Sequence, residues 1–140
     1  MLDILIVLFF SHFVCDWLFQ SEREALNKSS SIGWLLRHAS TYAGLMTLVT
    51  YVIWPMLLWQ QLVAYFLVTF ILHAAVDTYI PVYLWAKYVR RVKLVREKGK
   101  AGFKEWFFTP TGAVTAITVD QIFHLLTLTL NMLMILFWIL

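Results

Sequence analysis

Between Arg37 and Lys87 only one formally charged residue, Asp77, interrupts an otherwise apolar stretch. A helix that faces water on one side carries polar residues at helical spacing along that face. Runs of 18 or more apolar residues with almost no charge instead have the composition of membrane-crossing helices. Pro55 divides the stretch into runs over 34–54 and 57–80, predicting two spans joined as a tight hairpin. The whole chain agrees: 61% of its 140 residues are hydrophobic and 17% aromatic, and mean hydropathy is +0.76. Soluble domains hold roughly 45–50% apolar residues.

Two further runs, 2–20 and 113–139, extend this to an all-α, integral membrane four-helix bundle forming one transmembrane domain over residues 1–140. The first run lacks a basic leader and a small-residue cleavage site, and reads as a retained span and not a signal peptide. Between spans three and four the character changes. Lys87, Arg90, Arg91, Lys93, Arg96, Lys98, Lys100 and Lys104 face only Glu97 and Glu105. Within 84–98 the residues Leu84, Trp85, Tyr88, Val89, Val92 and Val95 recur at helical spacing, predicting a basic amphipathic helix in the membrane interface. The single cysteine, Cys15, permits no intrachain disulfide and reads as packing.

Lys and Arg concentrate in cytoplasmic loops, so the 81–111 loop is expected in the cytoplasm and both termini outside. Three spans carry an acid and an imidazole four residues apart: His12 and Asp16, His73 and Asp77, and, in reverse order, Asp120 and His124. Residues four apart share a helix face. Spans one and three run toward the cytoplasm and span four away from it, so the reversed order keeps the same layering. His12, His73 and His124 fall in one layer, with Asp16, Asp77 and Asp120 about one turn, ~6 Å, nearer the cytoplasm. On span two, His38 joins the Asp layer and Tyr42 the His layer.

Ionisable side chains within a membrane span are costly and mark functional sites. Imidazoles with carboxylates suit zinc, manganese or iron. The expected ligands of a divalent metal are His12, His73, His124 and His38. Asp16, Asp77 and Asp120 orient imidazoles, hold a second ion or act as catalytic bases. The plainer alternative is that these residues pair with one another or with backbone and fix helix register.

Several stretches resemble a bacterial and phage membrane family known as domain of unknown function 3307: His12-x-x-x-Asp16-Trp-Leu-Phe-Gln20, Glu24-Ala-Leu-Asn-Lys28-Ser, Leu36-Arg-His38-x-x-x-Tyr42, Leu72-His-x-x-x-Asp77 and Asp120-Gln121-x-x-His124-Leu-Leu-Thr-Leu. Trp17 stands where that family usually has Phe. The resemblance implies a small multi-span protein of the bacterial inner membrane with polar motif positions, and it supplies no reaction.

Gln20, Lys28, Gln121 and Tyr42 are candidate substrate contacts: an amide fixes a carboxylate, and a lysine holds a phosphate or carboxylate. Positive-inside signalling accounts equally for Lys28, and helix-end capping for the two glutamines. The basic segment serves as topology determinant and surface anchor, with anionic lipid as a possible partner. Trp34, Trp54, Trp59 and Trp138 fit an aromatic belt. No nucleic-acid-binding motif is present. The expected function is a metal-dependent hydrolase acting on a lipid-linked or amphiphilic substrate. The rivals are a metal-ion or proton binding or transport protein, and a structural membrane protein.

Overall fold

The computed structural model describes residues 2–139, all of whose regular structure is helical. Helix α1 (Leu2–Phe13) runs into a wider π-type turn, Val14–Leu18, followed by short α2 (Glu22–Asn27) and long α3 (Ile32–Ile53). Helix α4 (Trp59–Asp77) returns antiparallel to α3, against which it packs most extensively, and packs on α7 (Pro110–Ile139) along the other side. Between them lie α5 (Ile80–Leu84), a second π-type turn (Trp85–Val89) and α6 (Lys93–Phe107).

The boundaries follow local chemistry. Ser21 caps α2 in a reciprocal box: Glu24 N donates to Ser21 Oγ at 3.3 Å and Ser21 N donates to Glu24 Oε2 at 2.7 Å. The α3–α4 connection tightens where Leu57 N donates to the Trp54 carbonyl at 3.1 Å, just past Pro55. Helix α4 ends where Tyr79 takes a left-handed conformation, φ 57°, ahead of Pro81.

The long helices are inverted relative to a water-soluble bundle. Ile6, Val7, Phe10, Leu48, Val52, Val63, Leu67, Ile71, Ile122, Leu126, Leu130 and Leu133 point outward. His12, Asp16, His38, Thr69, His73, Asp77, Asp120, His124 and Asn131 are buried. By length and composition, α4 and α7 are each able to cross a membrane. An apolar core of Leu8, Tyr42, Met46, Tyr65, Leu128 and Ile135 fills one half of the bundle. Val82, Ala116 and Val119, with Tyr79, Trp85, Phe103 and Phe107, form a smaller cluster that seats α5 and α6 against the start of α7.

The basic segment differs from the single helix expected over 84–98. It breaks at 90–92, where Arg91 has φ 54°, and α6 bends at Gly99, whose φ of 61° and ψ of −132° suit glycine alone. One turn on, a Cβ at Gly102 would lie 2.0 Å from the Leu94 carbonyl oxygen, so the bend folds the two halves of α6 against one another too closely for any side chain there.

Candidate functional site

Four helical segments deliver the motif residues to one buried point. Asp16 comes from the π-type turn after α1, His38 from the second turn of α3, His73 and Asp77 from the last turns of α4, and Asp120 and His124 from the middle of α7. Each is at most 6% exposed.

The tightest grouping is Asp16, His38, His73 and Asp77, each offering one ligand atom within 4.8 Å of the other three. His38 Nε2 lies 3.0 Å from Asp16 Oδ1, 3.1 Å from His73 Nε2 and 3.2 Å from Asp77 Oδ2. His73 Nε2 lies 3.2 Å from Asp77 Oδ2 and 3.6 Å from Asp16 Oδ1. Ligands bonded tetrahedrally at 2.0–2.2 Å stand about 3.3–3.6 Å apart. The five separations, 3.0 to 3.6 Å, are close to those of such edges. Hydrogen bonding alone does not satisfy the arrangement, because a ring nitrogen offers one N–H or one lone pair and His38 Nε2 meets several polar atoms at once. Neither Asp77 oxygen has a partner in hydrogen-bonding geometry, although both lie at ion-pair distance from cationic or imidazole nitrogens. A small cation at the centre resolves both features, so these residues fit a metal ion.

This grouping differs from the expected ligand set of four histidines: two aspartates replace His12 and His124 in it. The reason lies in the π-type turn. In regular helix, His73 contacts Asp77 at 3.2 Å and His124 Nδ1 lies 3.5 Å from Asp120 Oδ2. The wider turn rotates Asp16 away from His12 and toward His38, and among the described residues no ion pair joins His12 to Asp16. Single π-type turns inside helices recur at functional sites.

His12 and His124 form the adjoining layer. His12 Nδ1 lies 2.9 Å from the Tyr42 hydroxyl and its Nε2 3.2 Å from Gln121 Oε1. Tyr42 in turn stacks on the His73 ring, with centroids 3.6 Å apart. His124 Nδ1 donates to the Asp120 carbonyl at 3.0 Å, which leaves a lone pair on Nε2. That nitrogen is buried without a hydrogen-bond partner, 3.6 Å from Asp77 Oδ1. A lone pair directed at a carboxylate is unfavourable unless a proton or cation lies between, and metal-bound imidazoles commonly anchor the other nitrogen on a backbone carbonyl. Asp120 Oδ1 is likewise buried and unpartnered, while Oδ2 receives Gln121 Nε2 at 3.4 Å.

Lys28 enters the cluster itself. Its ammonium lies 2.9 Å from Asp77 Oδ1, 3.6 Å from Asp16 Oδ1 and 3.1 Å from His38 Nε2. Burial pushes its pKa down, but the Asp77 and Asp16 carboxylates outweigh this and hold it above the usual lysine value. With Asp16, Asp77 and Asp120 all ionised against the Lys28 ammonium, the site carries an excess of two negative charges, which a divalent cation or two protons would neutralise. Gln20 is half-buried with Oε1 unpartnered, and makes no hydrogen bond to the cluster among the described residues.

Glu24, expected only as a motif position, has a structural part beside the cluster. It is buried, receives the Ser21 cap and pairs with Arg37 at 3.1 Å. Burial raises its pKa, yet the Ser21 hydrogen bonds and Arg37 bring it below the ordinary value. The Ser21-x-x-Glu24 spacing of a capping box was the available signal. This brace ties α2 to α3 and positions Lys28 one turn beyond Glu24.

No curated protein and no solved structure matches the chain. Residues 4–139, nearly the whole length, match the family described as Protein of unknown function (DUF3307), and they include every residue of the cluster; the chain belongs to that family.

Proposed function

We propose that this chain is a four-span protein of the bacterial cytoplasmic membrane that holds zinc, manganese or iron among Asp16, His38, His73 and Asp77, and hydrolyses a lipid-linked or amphiphilic substrate. The metal reading is carried by the convergence of two imidazoles and two carboxylates at separations of 3.0 to 3.6 Å. The inverted distribution of apolar and polar side chains supports four spans, since lipid solvates the outward leucines and valines and excludes the inward acids. Helix α3, with 22 residues, is long enough for ~30 Å of hydrocarbon. Under the charge rule the basic segment lies in the cytoplasm, and the cluster faces that side with Lys28 above it.

A divalent ion held by these residues would polarise a substrate oxygen and make water more acidic. Asp120 is the residue suited to take the proton: one oxygen is unpartnered, it lies outside the four-residue grouping, and Gln121 holds its other oxygen. Asp16 and Asp77 would serve as ligands with His38 and His73, His124 lies against the group with Nε2 3.6 Å from Asp77 Oδ1, and His12 and Tyr42 orient the ring of His73. Asp120→Asn should therefore yield folded, metal-loaded protein without turnover or cellular phenotype. Normal function in Asp16→Asn, Asp77→Asn and Asp120→Asn alike would defeat the hydrolase reading.

One observation favours a second reading, ion or proton passage. Asn131 Nδ2 donates to Thr69 Oγ1 at 3.0 Å, buried, one turn beyond His73 on α4, which continues a polar line toward the opposite end. Asn131→Leu should abolish passage and leave a hydrolase intact.

A further inference from the structure

Beside the cluster lies a crevice of about 620 Å³ between α2 and the α5–α6 region, a size usual for small-molecule sites. It begins one residue beyond the cluster on two elements, since Ser29 follows Lys28 and Thr78 follows Asp77. Among the described residues its only charged lining groups are Lys100 and Lys104, and no acid lines it. The nearby Glu105 is engaged by Lys98 at 2.9 Å. The Ser30 and Thr78 hydroxyls donate to backbone carbonyls of Asn27 and Ala75, whereas the Ser29, Tyr79 and Tyr83 hydroxyls line the crevice without a hydrogen-bond partner among the described residues. The walls are aromatic, with Tyr79, Phe103 and Phe107. The exposed lip is mixed: Leu26 is 71% and Phe108 74% exposed, and Ser29, Ser30, Lys100 and Lys104 are exposed beside them.

Two cations beside unpartnered hydroxyls suit an anion rich in acceptor oxygens. Exposed Leu26 and Phe108 beside the two lysines suit an attached apolar chain, which would cover them as a free inorganic anion would not. We infer that this crevice binds the phosphate-bearing headgroup of an anionic amphiphile entering from the bilayer, with Lys100, Lys104 and Ser29 on the phosphate and the aromatic wall along the first part of its chain. This rests on the hydrolase reading above for its meaning as a substrate site, and it names the substrate class as phosphate-bearing amphiphiles.

The test uses the full chain in nonionic detergent with chelator present, so that binding is read independently of metal. Lysophosphatidic acid should bind saturably and at least tenfold more tightly than lysophosphatidylcholine of the same chain length or inorganic phosphate. Lys100→Gln combined with Lys104→Gln should lose at least tenfold, and Lys93→Gln with Arg96→Gln, which removes equal charge outside the crevice, less than twofold. Equal losses in the two double variants, or phosphate bound as tightly as the amphiphile, would overturn the inference. In the unaltered chain, a photoreactive lysophosphatidic acid should cross-link to 25–30 or 103–108; labelling confined to α1 or α4 would also overturn it. Metal content is measured separately. A metal-free protein that still binds the amphiphile defeats the hydrolase reading alone, and a metal-loaded protein indifferent to it defeats this inference alone.

Discussion

The Nε2 atoms of His38 and His73 lie 3.1 Å apart, and each also lies within 3.6 Å of Asp16 Oδ1 and within 3.2 Å of Asp77 Oδ2. Two imidazole nitrogens that close share at most one proton between them, while both face the same carboxylates. A bound cation would account for all the contacts together.

Lys28 separates this account from a purely hydrogen-bonded core. If its ammonium were the cation that holds Asp16 and Asp77 together, Lys28→Gln would leave buried charge uncompensated and cost about 3–5 kcal/mol. With a metal present, the variant should fold and retain the ion. Thermal unfolding with and without chelator checks this: the variant should be close to wild type when metal-loaded and much weaker than wild type when stripped.

The bend in α6 should be intolerant of side chains. Gly102→Ala places a Cβ against the Leu94 backbone, and Gly99→Ala forces a left-handed φ on alanine; each should cost about 1–3 kcal/mol. Melting temperatures in nanodiscs should fall for both, while metal per folded chain stays unchanged because the cluster draws nothing from α6.

Orientation is checked by labelling. In a Cys15→Ser background, Lys98→Cys should react with a membrane-impermeant thiol reagent only when the cytoplasmic side is accessible. Labelling from outside would reverse the topology, since eight basic residues against two acids in the segment are its main determinant.

Removing the Ser21 hydroxyl tests the brace that presents Lys28. Ser21→Ala should destabilise the chain by about 1 kcal/mol, read as a lower melting temperature. Metal content should be retained, because neither Ser21 nor Glu24 reaches the ligand atoms.

Much of the site was legible because regular helix maps spacing onto faces. The pairs His73 with Asp77 and Asp120 with His124 touch as their spacing required, and reversing the order on α7 brought both pairs to one depth. His38 joins the carboxylates and Tyr42 the imidazoles as the opposed direction of α3 predicts. Asp16 departed from its pair because a π-type turn leaves no distinct composition: Val14–Leu18 reads as ordinary apolar helix. Lys28 gave no sign of its depth, since its place depends on a six-residue helix held by the Ser21 cap and the Glu24–Arg37 pair. The break at 90–92 was hidden because periodicity continues on both sides, and only backbone conformation at Arg91 and Gly99 discloses it.

Elemental analysis of the purified chain, expressed without chelator and compared with His73→Ala and Asp77→Asn, tests the central claim most directly. The account predicts about one zinc, manganese or iron per wild-type chain and loss of most of it in both variants, with a matching fall in thermal stability. Wild-type protein that carries no divalent metal, takes up none of the three when they are supplied and is not stabilised by them would contradict it.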